Sequence, residues 1–181
     1  HDCDSMFDAI DAKDQLIHYP YQSFEPVIRL LEEAASDKYV TKIRITIYRA
    51  AKESRLNDAI ALAAQNGKKV VVFIEVKARF DEANNIKWGK VFEENGAQVI
   101  YSYPDIKVHS KILSITREVG KETTRYAYIA TGNFNEKTAS LYTDFGLMTA
   151  NRKITKEVKK VFLVLNRVII VPKTKRLLVS P

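Results

Sequence analysis

The chain has a single cysteine, Cys3, among its 181 residues. One thiol excludes an intramolecular disulfide and a zinc site built from several cysteines, and it favours an intracellular setting. Long apolar runs are lacking as well. The longest near the C-terminus, 161–171, is interrupted by Asn166 and Arg167 and is too short to span a bilayer. The N-terminus is acidic and lacks the basic start and apolar core of a signal peptide. These absences leave an ordinary globular protein, without repeats or low-complexity tracts.

The composition predicts one domain with a sizeable core, since the chain is 46% hydrophobic and 28% charged. The formal net charge is +7, which favours anionic partners such as nucleic acid, phosphorylated small molecules or acidic lipid. Many ordinary domains are also mildly basic, so the charge alone does not decide between these alternatives. Because the chain begins with His1 and not with methionine, we expect it to be a piece of a longer protein.

Hydrophobic periodicity predicts an α/β fold whose mixed β-sheet is flanked by helices. Residues 1–22 are interpreted as a lead-in, 23–165 as the domain that forms the core and 166–181 as a linker. Helices are predicted from Ser23, from Ser54 to Gly67, and over 85–95 and 155–165. Strands are predicted over 43–47, 70–76, 97–103, 109–117, 125–131 and 143–149. Strand and helix alternate in the first half, which predicts that the first three strands are parallel. Later strands follow one another without long helices, which predicts antiparallel pairing.

Strand direction predicts that several polar residues meet at one edge of this sheet. Ligand sites in open α/β sheets usually lie at the carboxyl ends of the parallel strands. The residues expected there are Arg49, Lys77, Arg79, His109, Gly132, Asn133 and Tyr142. Arginine's planar fork matches phosphate oxygens, so a phosphate-bearing ligand would account for this concentration of charge.

Each of these residues also has a simpler interpretation. Arg49 could be a solvated charge at a strand end, and Arg79 could form an ion pair with Asp81 or Glu82. Gly132 and Asn133 could merely form a turn. Tyr142 could be an edge aromatic that packs on the core.

The most informative local motif is His109-Ser110-Lys111. On an extended segment, residues two apart project to the same side. The motif therefore places an imidazole nucleophile beside a fixed cation, which suits attack on phosphorus. The alternative is a surface histidine in a basic turn.

An H-x-K followed by Gly132-Asn133-Phe134-Asn135 resembles the phospholipase D superfamily, whose members work through a phosphohistidine. That pattern continues to an aspartate where this chain has Thr116, which argues against an ordinary phospholipase or nuclease. Longer runs resemble one branch of the superfamily, the polyphosphate kinases. The resembling runs are His18-Tyr19-Pro20-Tyr21 with Ser23-Phe24, Ile47-Tyr48-Arg49, Glu75 to Glu82 with Asn84-Asn85-Ile86, Lys107 to Lys111, and Thr131 to Asn135 continuing to Leu141-Tyr142-Thr143-Asp144. Together they cover about residues 14–165.

The resemblance implies a role for several residues. It implies that His109 is the residue that becomes phosphorylated, with Lys111 beside it, and that Tyr142 is associated with ATP binding. It associates Arg49 and Arg79 with a magnesium site, so Mg²⁺ is the expected cofactor. A guanidinium has no lone pair to offer a metal, so we expect these arginines to hold phosphate oxygens to which magnesium is also bound.

The resemblance also implies a reaction and its partners. The expected reaction is reversible transfer of the terminal phosphate of ATP to polyphosphate, with ATP, ADP and inorganic polyphosphate as ligands and no specific nucleic acid. The chain resembles only the first of two catalytic domains in a four-domain enzyme. We therefore expect contacts with the remaining domains, a homo-oligomer in the full-length protein, and little or no activity of this piece alone. The expected location is cytoplasmic, with or without association with a membrane. A phosphodiesterase that acts as a dimer and a non-catalytic polyanion-binding module are the alternatives.

Overall fold

A computed structural model describes residues 5–78, 80–103, 108–167 and 173–179. Within these residues the chain forms six helices and seven strands. The helices are α1 (Met6–Ala12), α2 (Glu25–Ser36), α3 (Arg55–Gln65), α4 (Glu82–Glu94), α5 (Glu136–Ala139) and α6 (Arg152–Leu165). The strands are β1 (Gln15–Tyr19), β2 (Val40–Ile47), β3 (Lys69–Ile74), β4 (Gln98–Tyr101), β5 (Lys111–Val119), β6 (Glu122–Ala130) and β7 (Asp144–Thr149).

The strands form one sheet in the order β1-β7-β6-β5-β2-β3-β4. Strands β2, β3 and β4 run parallel, as predicted. Strand β5 is antiparallel to β2, and β6, β7 and β1 continue the sheet in antiparallel pairing. The structure thus confirms the predicted α/β fold with a mixed sheet.

The sheet is covered by helices on both faces, and this positions the strand ends. One face packs against α1 to α4 and carries most of the core. On the other face, α6 contributes Val158 and Phe162, which pack against a smaller apolar cluster. Strand β3 contributes to both clusters, with Val72 on one face and Val71 and Phe73 on the other. Burial on both faces explains why the sequence of this strand is almost continuously apolar.

The N-terminal segment, which the sequence indicated as a lead-in up to residue 22, contains two elements of the domain. Helix α1 buries Phe7 and Ile10 in the main core. Strand β1 pairs with β7, so that Tyr19 lies opposite Asp144, and it forms one edge of the sheet. The prediction overlooked both because residues 1–22 are polar with scattered aromatics and show no clear helical or strand periodicity. Sheet elements therefore lie on the N-terminal side of residue 23.

The helix starts agree with the prediction to within a few residues. Ser54 caps α3 by accepting a hydrogen bond from the N–H of Asn57. At α2, the Ser23 hydroxyl accepts the N–H of Glu25 at 3.0 Å, although Phe24 occupies the capping position. Helices α4 and α6 each begin three residues earlier than predicted, at Glu82 and Arg152.

The predicted linker over 166–181 lies partly outside the described residues, which lack 168–172 and 180–181. The described part, 173–179, contacts α6. There the carboxylate of Glu157 accepts hydrogen bonds from the N–H groups of Lys175, Arg176 and Leu177 at 2.9–3.0 Å. Among the described helices, none combines the length and the apolar content needed to cross a bilayer.

Candidate active site

The loops that carry the predicted site residues lie at one end of the sheet, along the ends of its strands. This end is here called the rim. It is formed by the carboxyl ends of β1, β2, β3, β4 and β6 and by the amino ends of β5 and β7. The predicted residues on rim loops are Arg49 after β2, Lys77 after β3, His109 before β5, Gly132 and Asn133 after β6, and Tyr142 before β7. Arg79 lies outside the described residues. Strand direction alone therefore predicted which loops share this edge.

The ring of Tyr48 contacts a histidine and two cations of the rim. The exposed His109 packs edge-on against Tyr48, with 4.8 Å between ring centroids. Lys111 Nζ lies 5.1 Å from the centroid of the same ring, and the guanidinium carbon of Arg49 lies 5.7 Å from it. These distances are typical of cation–π contacts. Sequence analysis assigned Tyr48 no role of its own, because this residue simply continues the alternation of β2.

The ammonium of Lys111 contacts the backbone of His109. It donates a hydrogen bond of 2.5 Å to the backbone oxygen of His109. The lysine is 5% exposed, and this burial lowers its pKa to about 8, with Arg49 acting in the same direction and the carboxylate of Asp144 opposing. Lys111 is therefore charged at pH 7 but loses its proton far more easily than an ordinary lysine.

Arg49 forms an ion pair with a neighbouring carboxylate and remains partly exposed to solvent. Its guanidinium lies 3.3 Å from a carboxylate oxygen of Asp81, and its side chain is 37% exposed. Asp81 was considered as an ion-pair partner of Arg79, and in the structure it contacts Arg49. A partly exposed guanidinium held by one carboxylate keeps donors available for a ligand on its other side.

Gly132 leaves room for the carboxylate of Asp144. A Cβ atom at position 132 would lie 2.6 Å from Asp144 Oδ2. The hydroxyl of Thr131 donates to Asp144 Oδ1 at 2.8 Å and accepts the N–H of Phe145 at 3.0 Å. The glycine thus allows the loop after β6 to close on the start of β7, and Asp144, to which the sequence analysis gave no role, becomes a carboxylate of the site.

The two asparagines of the Gly132–Asn135 motif differ in their contacts. Asn135 caps α5 with its side-chain oxygen, and its amide nitrogen lies 3.4 Å from the backbone oxygen of Arg49, so it ties this loop to the one after β2. The side-chain oxygen of Asn133 is buried without a hydrogen-bond partner among the described residues. Tyr142 is 63% exposed, and its backbone N–H donates to the backbone oxygen of Thr138.

The described residues do not form a metal site of their own. Nowhere among them do three or more histidine, cysteine, aspartate or glutamate side chains gather in a way that could hold a metal ion. Magnesium usually retains waters and binds one or two carboxylates together with substrate phosphates. The rim, with the Asp81 carboxylate beside Arg49, fits an ion that enters with phosphate oxygens and does not fit an ion held by protein alone.

Comparison with solved structures defines the class of fold. The phospholipase D family member Nuc from Salmonella typhimurium matches with a TM-score of 0.63 over 86% of this chain and 92% of Nuc, at 16% identity. At this identity the likeness shows the fold alone, which is phospholipase D-like. The polyphosphate kinase of Porphyromonas gingivalis matches with a TM-score of 0.81 and 43% identity, over 92% of this chain and 28% of that protein.

Sequence comparison shows the family. The family model "Polyphosphate kinase C-terminal domain 1" matches residues 5–169. A polyphosphate kinase of Salmonella typhimurium is 53% identical over 156 residues, which are 86% of this chain and 23% of that protein. The chain belongs to the polyphosphate kinase family, as the motifs predicted. It spans about a quarter of the length of the curated relatives that it matches.

Proposed function

We propose that this domain supplies the phosphate-accepting half of a polyphosphate kinase active site. The observation that carries the proposal is the grouping of an exposed His109 with Lys111 and Arg49 around the ring of Tyr48. An imidazole that is open to solvent and flanked by two cations suits a nucleophile that attacks an anionic phosphoryl group.

In the proposed first step, a neutral nitrogen of His109 attacks the terminal phosphorus of ATP. The N–P bond forms as the bond between phosphorus and the bridging oxygen breaks, and ADP leaves with that electron pair. In the second step, a terminal oxygen of polyphosphate attacks the phosphohistidine and the imidazole departs, so that the chain gains one phosphate. Both steps are reversible. Catalysis of this kind comes mainly from positioning and from stabilisation of charge.

The cations of the rim are proposed to stabilise the charge on the transferring group. Lys111 and Arg49 share the ring of Tyr48 with His109, which supports a role in contacting phosphate oxygens during attack. We propose the same role for Arg79, as the resemblance implies. A magnesium ion carried by the phosphates would neutralise part of their charge, with Arg49 and Arg79 holding the same oxygens. The exposed ring of Tyr142 is available to contact ATP, and Gly132 and Asn133 line the approach.

The proposed site is only half of the machinery. His18 is the other histidine among the described residues, and its ring stacks on Phe145 at 4.4 Å between centroids. Because the chain covers 23% of its Salmonella relative, we propose that the groups completing the site belong to other parts of the parent protein. The isolated domain should then have little or no activity.

The experiment is polyphosphate synthesis from ATP by the full-length parent. His109→Ala should abolish synthesis, because no other described residue presents a nucleophile to the two cations. His18→Ala removes an imidazole from the same molecule and should retain synthesis. Substantial synthesis by His109→Ala would show that another residue carries the phosphoryl group. A phosphodiesterase or a simple polyanion-binding module would show no ATP-dependent synthesis in the unmodified protein.

A further inference from the structure

Two buried side chains hold the backbone on either side of the exposed His109. On the N-terminal side, Glu75 Oε2 accepts the N–H of Val108 at 2.8 Å. On the C-terminal side, the hydroxyl of Thr46 donates to the backbone oxygen of Ser110 at 2.7 Å. The anchoring residues are 0% and 1% exposed respectively. The histidine therefore projects from a short segment that is fixed at both ends by side chains from neighbouring strand ends.

Glu75 is an unusual group to find fully buried. Its other carboxylate oxygen, Oε1, accepts the N–H of Lys77 at 2.8 Å and the hydroxyl of Ser102 at 2.7 Å. No lysine, arginine or histidine of the described residues lies within ion-pair distance of it. A buried carboxylate is costly unless its oxygens are satisfied, and here three donors satisfy it, one from the loop after β3 and two from the loop between β4 and β5.

Thr46 makes a comparable double contact. Its hydroxyl oxygen accepts the N–H of Ile112 at 3.1 Å while the hydroxyl proton is directed to Ser110. Ser110 and Ile112 flank Lys111, so the same threonine also fixes the backbone of the lysine whose ammonium reaches His109. Valine has nearly the same shape as threonine and also suits a buried strand position. The two hydrogen bonds of the hydroxyl are therefore what distinguishes Thr46 from valine here.

We propose that Glu75 and Thr46 are positioning residues that set the direction of attack by His109. This inference rests on the proposed function, because it assumes that His109 is the nucleophile. Neither side chain needs to touch a substrate. Their effect arises through the backbone of residues 108–112, and a nucleophile displaced by about 1 Å can lose about 10²-fold in rate.

Glu75→Gln tests the N-terminal anchor with little change in size. In one orientation the amide nitrogen replaces Oε2 and faces the N–H of Val108, so that two donors oppose each other. In the other orientation the amide nitrogen replaces Oε1 and faces the N–H of Lys77. The hydroxyl of Ser102, which already accepts the N–H of Val76, then also loses the oxygen to which it donates. The first orientation loses fewer hydrogen bonds, so the substitution should release the segment that carries His109.

The chain offers matched controls on the far side of the domain. Glu157 is also a buried carboxylate that accepts three backbone N–H groups, and it lies against the C-terminal tail. Thr149 is a buried threonine whose hydroxyl donates to Asp14 and accepts the N–H of Asn151, at the opposite edge of the sheet from the rim. Glu157→Gln and Thr149→Val therefore repeat the chemical changes away from His109.

The measurement is steady-state kinetics of the full-length parent together with the rate of covalent phosphorylation by ATP. Glu75→Gln should lower kcat and the phosphorylation rate by about 10²-fold, while KM for ATP changes less than threefold, because Arg49 and Lys111 keep their charges. Thr46→Val should show the same pattern with a loss of about tenfold, and it serves as the test if Glu75→Gln does not fold. The two control variants should stay within threefold of the unmodified protein.

Two outcomes overturn the inference. One is a phosphorylation rate for Glu75→Gln and Thr46→Val within threefold of the unmodified protein. The other is a loss no larger than that of the controls. Both can be told apart from failure of the proposed function, in which the unmodified protein itself would form no phosphate adduct on His109.

Discussion

At the scale of single residues, the exposed His109 depends on neighbours that are buried or paired. The ring of Tyr48 contacts the histidine and two cations. Glu75 and Thr46 form hydrogen bonds with the backbone on either side of the histidine. The sequence predicted His109 and Lys111 because an imidazole and an amine two residues apart carry a chemical meaning by themselves. It gave no role to Tyr48 or Thr46, because tyrosine and threonine in a strand have many ordinary uses and only the folded chain shows which partners they meet.

The lowered pKa of Lys111 predicts a pH dependence that an ordinary lysine would not show. With a pKa of about 8 in the free protein, Lys111 loses its charge as the pH rises from 7 to 9. A bound polyanion favours the ammonium, so binding takes up a proton in this range. Affinity of the full-length parent for tripolyphosphate should therefore fall by about tenfold between pH 7 and pH 9.

The control for this prediction is a lysine far from the rim. Lys111→Arg keeps its charge throughout and should flatten the pH dependence. Lys38→Arg, at an exposed position before β2, should leave it unchanged. Calorimetric titration at several pH values measures the affinity. An equally steep decline in Lys111→Arg would show that a group other than Lys111 titrates.

At the scale of elements, the parallel β2-β3-β4 unit was predictable and the N-terminal edge was not. Strand β2 alternates apolar and polar residues and β3 is almost continuously apolar, and helical patterns separate the parallel strands, so their order and direction follow from the pattern. Helix α1 and strand β1 are short, and they gain their stability from tertiary contacts that the local sequence does not display. Arg49 and His109 could thus be placed on one edge, while the pairing of β1 with β7 could not be foreseen.

Phe7 tests whether the N-terminal elements belong to the core. It is 2% exposed, and its ring lies 4.7 Å from that of Tyr126. Phe7→Ala should lower the free energy of unfolding by about 3–5 kcal/mol, because it removes a buried aromatic ring and leaves a cavity. Urea unfolding of the 181-residue chain measures the change. Tyr21→Ala, at a position 77% exposed, should cost less than about 0.5 kcal/mol. Equal, small effects at both positions would mean that residues 5–22 are only a lead-in.

At the scale of the whole molecule, the predicted site residues that the structure describes lie on loops of one rim. The curated relatives that the chain matches are about four times as long as this chain. Among the described residues, no second histidine lies against the ring of Tyr48 beside His109. That other domains complete the proposed site could be predicted from the sequence only through the resemblance to polyphosphate kinases. Local pattern predicts strands and caps, but it carries no information about groups that other domains contribute to a site.

The most direct test of the central claim is to locate the phosphate after the full-length parent reacts with γ-phosphate-labelled ATP. We predict an acid-labile, base-stable adduct on His109, found by mass spectrometry of the peptide that contains Val108 to Lys111 and lost when ADP or polyphosphate is added. The isolated domain, treated in parallel, should take up little label. A label on any other residue, or the absence of a covalent adduct in a protein that makes polyphosphate, would contradict the account.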